Sequence, residues 1–406
     1  MSKKRLFKNA GFLSVLQVFN YIAPLLLLPY LTRVLPVAEF GAVMVAMASV
    51  MLVFVLTDYG FSLSATYRIS QNRDDKSYIN KLISQIFTAK IFLTAIALIV
   101  LFIISMVPSF YEYRHIFWAG SVAVIAQAYQ PMWLFHGLET MKHFVIYMVM
   151  TKIFYVILAL LLVASPGDGL WVLVSWSISN LLGAAVALYM LKKQGFVISL
   201  TSINQAWLEL KESAQFFWSR IAVAFYTSAS SIIVGTAGLH QAAMFSSAEQ
   251  GYKAGQAVTT SLTQAMYPYM AKEKNWTVFY KVLFSVTLIM ALGALIVGNF
   301  SEFFITLIFG ESYKDAADVL VIMMITLVIN YQGMSFGYPA LIALGKIEWA
   351  NVSVMVGSIM FLIIIALTSL TSTVTAFNVA LTVLVTECLV FLIRFIIFIR
   401  FSVEKI

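Results

Sequence analysis

The chain is 406 residues long, 61% hydrophobic and only 11% charged, with a formal net charge of +8 and a mean hydropathy of +0.92. A soluble domain is roughly 45–50% apolar and about 25% charged, so a water-soluble fold is excluded and the excess apolar area must face lipid. The basic excess lies mostly in short loops between apolar runs, where membrane topology explains it without nucleic acid.

The N-terminus, Met1-Ser2-Lys3-Lys4-Arg5, leads into an apolar run from Gly11 to Leu31. That run is long enough to span and is predicted to remain as the first helix, because a cleaved signal has a shorter apolar region and a small-residue cleavage site. Spanning takes roughly 20 apolar residues, and about twelve such segments follow one another: 11–32, 39–61, 82–107, 116–135, 143–164, 169–190, 214–236, 246–270, 280–307, 317–334, 350–369 and 375–399. The eighth is polar, carrying Glu249, Gln250, Lys253, Gln256 and Gln264. With the N-terminus inside, eighteen basic residues fall in cytoplasmic segments and only Arg33, Arg114 and Lys314 in outside loops. That is the asymmetry of the positive-inside rule, and it predicts an even count of helices with both termini cytoplasmic.

The outside loops are too short for an extramembrane domain. The longest inside loop, 191–213, separates six segments from six, predicting lobes at 1–200 and 201–406. A faint echo between 30–43 and 233–245, each following the first helix of a lobe, points to duplication, as in transporters built from two related halves. The expected class is therefore an all-α integral membrane protein of about twelve transmembrane helices in two six-helix lobes. Cys388 is the only cysteine, and His115, His136, His143 and His240 show no ligand spacing, so neither a disulfide framework nor a metal site is expected.

Four cations fall well inside predicted spans: Lys90, Lys152, Arg220 and Lys253. A centred charge costs roughly 2.5–3.5 kcal/mol on insertion scales; four facing lipid would cost about 10–14 kcal/mol, comparable to the stability of a whole protein. They should face water or pair with acids. Asp58, Glu249 and Glu387 are also within spans, and Arg394 lies near the inner end of the last. Polar residues recur around these charges at helical spacing. Arg220, Thr227 and Ser231 do so in the seventh segment; Glu249, Lys253, Gln256, Thr260 and Gln264 in the eighth; Gln17, Asn20, Tyr21 and Pro24 in the first. Stripes in both lobes predict a polar passage between them. Each charge has a plainer reading too. Lys90 and Lys152 sit about nine residues from the cytoplasmic end, within reach of snorkelling. Lys253 has Glu249 four residues earlier. Asp58 suits a pair or cap as well as a coupling or gating role, and Glu387 can pair with Arg394. A cationic passage suits an anion such as a sugar-bearing pyrophosphate, which lysine binds as a point charge and arginine as a fork.

Four stretches carry a family likeness. The first is Asn20, Pro24, Pro29-Tyr30-Leu31-Thr32-Arg33-Val34-Leu35 and Phe40-Gly41. The second is Asp58-Tyr59-Gly60-Phe61 with Ser64-Ala65-Thr66 and Ile69-Ser70. The third, the most specific, is Pro131-Met132-Trp133-Leu134-Phe135-His136-Gly137-Leu138-Glu139-Thr140-Met141. The fourth is Phe309-Gly310, Tyr313, Ala316-Ala317 and Val319. In this order and spacing the chain resembles the Wzx-type O-antigen flippases of the multidrug/oligosaccharidyl-lipid/polysaccharide exporter superfamily. The family motif Pro131, Trp133, Gly137 and Glu139 is kept, with His136 where glutamine is usual and Pro36 where glycine is usual.

The resemblance implies two six-helix lobes around a V-shaped central cavity in the bacterial inner membrane. It implies transport of an undecaprenyl-pyrophosphate-linked oligosaccharide repeat unit from the cytoplasmic to the periplasmic face, using cationic lumen residues. The O-antigen polymerase and chain-length regulator are the implied partners, and no cofactor is expected. Arg220, Lys253, Lys90 and Lys152 are the candidate substrate-binding cations, Asp58 and Glu249 the candidates for coupling or gating. No Gly-x-x-x-x-Gly-Lys-[Ser/Thr] loop occurs, which argues against nucleotide hydrolysis within the chain. The rival readings are a multidrug antiporter of the same superfamily, which would want acids deep in its cavity, and a membrane-embedded glycosyltransferase or polymerase, which would want catalytic carboxylates or large outside loops.

Overall fold

The computed structural model describes residues 26–371 and 373–403, with backbone alone at 141–144, 219, 222–223, 225–227, 371 and 403. The expected first-segment residues Gln17, Asn20, Tyr21 and Pro24 lie outside the described residues, as does the side chain of Thr227.

Among the described residues the chain is helical, with no strand. A helix over 26–34 (α1) is followed by α2 (Val37–Asp58), α3 (Phe61–Gln71), α4 (Lys76–Ser105), α5 (Arg114–Ala128), α6 (Met132–Gly137), α7 (Met141–Leu162) and α8 (Gly169–Lys193). Then come α9 (Ile203–Thr227), α10 (Ala229–Ala237), α11 (Leu239–Glu273), α12 (Trp276–Asn299), α13 (Ser301–Phe309), α14 (Ala317–Ser335), α15 (Leu341–Leu344), α16 (Glu348–Thr371) and α17 (Ala376–Val403). Eight helical stretches among the described residues are long and apolar enough to cross a membrane. Of the other expected segments, the first begins outside the described residues, α5 is 15 residues long, and α9 to α11 carry the polar stripes that depress hydropathy.

Local chemistry sets the ends of these helices. Asp75 caps α4, accepting from Tyr78 N at 2.9 Å, and Asn275 caps α12, accepting from Val278 N at 3.1 Å; both supply acceptors that the first turn lacks. Between α2 and α3 the chain turns through Tyr59 and Gly60 in left-handed conformation, φ 48° and 79°. A side chain at Gly60 would also meet Phe216, its Cβ only 2.7 Å from that residue's Cβ, so glycine is required twice over.

Glu39 is buried and reaches from α2 to the start of α8. Its carboxylate accepts from Gly169 N at 2.6 Å and Gly167 N at 2.9 Å, at the positive end of that helix. In the same loop Asp168 accepts from Ala164 N, Ser165 N and Ser165 Oγ, donors that hold its carboxyl below the usual range. Glu39→Ala should cost about 1–3 kcal/mol, the penalty for leaving buried donors unsatisfied, read as a lowered melting temperature of the purified protein. An unchanged melting temperature would remove Glu39 from the account of α8.

The chain divides into two compact units, 1–224 and 225–406, the division falling inside α9 where the sequence placed it at 200/201. The first half of α9 packs within the first unit, with Ala206 and Leu210 in a core that also holds Phe61, Ile69, Leu82 and Trp133. In the first unit α8 packs on α5 and α7, and α2 on α4 and α5. In the second unit α14 packs on α11, α12 and α17, and α16 on α17. Small residues let these helices approach closely: a Cβ on Gly183 of α8 would sit 2.6 Å from Thr151 Oγ1 of α7. Of α12, Phe279 and Leu283 are buried and Trp276 and Val286 pack partly against the same core, while Phe284, Leu288, Ile289, Leu292 and Leu295 stay exposed.

Candidate functional site

The first unit gathers charge around α3. On one flank the family motif docks α6. Pro131 precedes α6 after α5 has ended, and Trp133, only 2% exposed, accepts a hydrogen bond at its carbonyl from Thr66 Oγ1 at 3.2 Å. Gly137 lies so close to Ile69 that a Cβ would stand 2.7 Å from that residue's Cβ. Its carbonyl accepts from Arg73 Nε at 2.9 Å, and Arg73 also pairs with Glu139, which adopts a positive φ of 57°. In this structure the motif is a clasp between α6 and α3.

On the other flank α3 meets α9 along a seam. Arg68 pairs with Glu209 and, at 2.6 Å, with Glu212. Burial raises the Glu209 carboxyl above its usual range although Arg68 opposes the shift. Ser64 and Ser213 hydroxyls are 2.8 Å apart, and Tyr59 stacks on Phe217 at 4.5 Å between centroids. At the end of the seam away from Arg68, Arg220 donates from NH1 to Ser62 Oγ at 2.9 Å, while its Nε stands 3.6 Å from Asp58 Oδ2. Ser62 in turn donates to Asp58 at 2.8 Å. The Arg220 side chain remains 41% exposed and Asp58 21%, so the pair is loose and open on one side.

Lys90 is buried and donates from Nζ to Ala128 O, the last carbonyl of α5 and the negative end of its dipole. Asp58 lies within electrostatic reach of it. Lys90 therefore neither snorkels nor stands free; it closes the end of α5 where the chain breaks toward Pro131. Lys152, half-buried on α7, makes no hydrogen bond or ion pair among the described residues.

The second unit holds a cavity of about 100 Å³ lined by Glu249, Lys253, Gln256, Tyr252, Glu387 and neighbouring apolar groups. Lys253 pairs with Glu249 at 2.8 Å, one turn apart; its side chain is 46% exposed while that of Glu249 is 9% exposed. Ser231 Oγ stands 3.4 Å from the same carboxylate. Gln256 donates to Tyr252 OH at 3.1 Å and Asn330 Oδ1 at 3.3 Å, and Asn330 hydrogen-bonds the buried Glu387. Arg394 directs its guanidinium to Ser353 Oγ, Gly333 O and Ala350 O while attracting Glu387 electrostatically. Thus Arg220, Asp58 and Lys90 are neighbours in one unit, Glu249, Lys253 and Glu387 in the other, and Lys152 stands apart. Ser62 and Asn330 escaped the sequence reading: a lone hydroxyl one turn after Asp58 and an amide within an apolar span carry no distinguishing signal.

Residues 6–274 match the family described as polysaccharide biosynthesis protein. The chain belongs to this family. Relatives of this family member include a protein of Escherichia coli (strain K12) provisionally named an O-antigen transporter, 28% identical over 401 residues that cover 96% of this chain and 95% of the relative. Another from Shigella dysenteriae, provisionally named likewise, is 30% identical over 271 residues, 66% of this chain and 68% of the relative. Two solved structures share the fold. One is the lipid II flippase MurJ in an inward closed conformation, with TM-score 0.76 and 12% identity over 98% of this chain and 90% of that one. The other is an inward-facing multidrug resistance MATE family transporter of the MOP superfamily, with TM-score 0.66 and 14% identity over 96% and 95%.

Proposed function

We propose that the chain is a flippase that carries undecaprenyl-pyrophosphate-linked O-antigen repeat units from the cytoplasmic to the periplasmic face of the bacterial inner membrane. The observation that carries this reading is the end-to-end match to a relative named as an O-antigen transporter, 96% of one chain on 95% of the other. The likeness in fold to a lipid II flippase supports it. So do the partly exposed cations Arg220 and Lys253, each able to turn from its carboxylate toward a phosphate.

The barrier to moving such a head group is the desolvation of its charge and hydroxyls. In the proposed mechanism twelve helices form two six-helix lobes with both termini cytoplasmic. The cations meet the diphosphate first from the cytoplasmic and then from the periplasmic side, by alternating access, while the prenyl tail stays in lipid. Arg220 and Lys253 bind the diphosphate, with Lys152 and Lys90 adding positive potential. Asp58 and Glu249 pair with the same cations, so each competes with the phosphate and can gate its site. Polymerisation of the repeat units outside, by the O-antigen polymerase with its chain-length regulator, would consume the product and set direction. No catalytic step on the sugar is assigned to the chain.

Deleting the chain should abolish surface O-antigen and trap lipid-linked repeat units on the cytoplasmic side. Reconstituted protein should move a fluorescent lipid-linked oligosaccharide between leaflets. Normal surface O-antigen in the deletion strain would overturn the reading. A second reading, a multidrug antiporter, draws on the buried Glu249 and Glu387 of the second unit; a gain in drug susceptibility on deletion, with O-antigen intact, would favour it.

A further inference from the structure

The connection between α8 and α9 is bound tightly to α4. Three of its backbone amides donate to three side chains of that helix: Val197 N to Asn80 Oδ1 at 3.0 Å, Ser199 N to Ser84 Oγ at 3.4 Å and Thr201 N to Thr88 Oγ1 at 3.1 Å. The spacing follows from geometry. Two residues of extended chain advance about 6.6 Å, and one helical step of four residues advances about 6.0 Å. Every second amide therefore finds a polar side chain one turn further along α4. Phe196 and Ile198 fill the core beneath.

What the strap leaves outward is apolar. Val197 is 62% exposed, Leu200 75% and Ile203 67%, followed in the first turns of α9 by Trp207 at 57% and Leu208 at 56%. Lys76, Lys81, Lys192, Lys193 and Lys211, all exposed, belong to the strap's flanks and to the α4 end it lies on. Lys76 Nζ is 3.5 Å from where a Cβ on Gly195 would stand. No ion pair joins any of these lysines to an acid among the described residues. Of the nearby acids, Glu209 and Glu212 are engaged by Arg68, Glu139 by Arg73 and Asp75 by the amide of Tyr78, while Asp74 is exposed.

We propose that this strap and the start of α9 form an interfacial element that lies in the cytoplasmic leaflet and binds anionic phospholipid. The apolar side chains enter the acyl boundary, Trp207 sits at the headgroup level where its ring is favoured, and the lysines meet lipid phosphates with their stems over the apolar face. The ladder to α4 is what makes this place tolerable for non-helical backbone, because it satisfies amides that water reaches poorly. The proposal rests on the charge-based orientation and is independent of what the protein transports.

The test uses the full-length protein with Cys388→Ser and Leu200→Cys, labelled with an environment-sensitive fluorophore and reconstituted in nanodiscs. With phosphatidylglycerol present, the label should emit as in an apolar setting and be quenched by a nitroxide lipid. In pure phosphatidylcholine, and in the variant with all five lysines changed to Gln, quenching should fall by about twofold or more, as expected for several lysines each attracted to an anionic surface. High salt should reproduce that fall. Water-like emission in both lipid compositions would place the strap off the membrane and overturn the proposal. Equal quenching in both would show that lipid charge is not read, and would overturn it equally. The lipid comparison leaves every lysine in place, so it stands even where the five-lysine variant fails to fold.

Discussion

Arg220→Ala should abolish surface O-antigen while the protein remains in the membrane at its normal level. Among the described residues Arg220 contacts Ser62 Oγ and Asp58, and a guanidinium has five N–H donors, so part of the fork is left for an anion. A hydrogen bond to a charged group contributes about 1.5–3 kcal/mol. Losing it to a diphosphate should slow transport by about 10- to 150-fold at 1.4 kcal/mol per factor of ten, with further loss where the cation also lowers the crossing barrier. The structural cost is small. The pair with Asp58 is half-exposed and loose, in the class that contributes about 0–1 kcal/mol. The seam between α3 and α9 keeps Arg68, Ser213 and Phe217 in place. Arg220→Lys should retain part of the activity, because charge survives while the fork does not. Surface O-antigen unchanged in Arg220→Ala, with lipid-linked intermediates at wild-type levels, would remove this residue from the transport path.

Much of the architecture is legible in the sequence because membrane insertion leaves the helix few alternatives. Hydropathy marks α4, α7, α8, α12, α16 and α17 directly. It loses α9, α10 and α11, where Arg220, Glu249, Lys253 and Gln256 interrupt the apolar pattern, and there helical spacing of the polar groups is the better guide. That spacing placed Glu249, Lys253 and Gln256 on one face, and the structure gathers these three at one cavity. What the sequence does not reveal are partners distant along the chain. Lys90 has the signature of a cavity cation or a snorkelling one; its acceptor, Ala128 O, is 38 residues away and is a backbone atom without sequence identity. The segment 191–213 has a linker's composition, yet alternate amides bind α4 and the following helix joins the core of the first unit. The α4 residues Asn80, Ser84 and Thr88 carry no sequence mark of this role until the extended segment is laid beside them.

Trp133→Ala should remove the protein from the membrane rather than silence it, the opposite signature to Arg220→Ala. The indole is 2% exposed in the core shared by Phe61, Ile69, Leu82 and Leu210, beneath the Gly137–Ile69 approach and the Arg73–Glu139 pair that clasp α6 to α3. Large-to-small changes of this kind cost about 3–5 kcal/mol, set against a typical total stability of about 5–15 kcal/mol. Protein level and melting temperature should therefore fall together, and transport only in proportion to the protein that survives. Trp133→Phe should recover most of the loss, since Nε1 has no hydrogen-bond partner among the described residues and its removal leaves nothing unsatisfied. A Trp133→Ala protein of normal abundance and melting temperature that nonetheless fails to transport would instead place the motif in contact with the substrate, because a clasp between two helices has no other route to a purely functional defect.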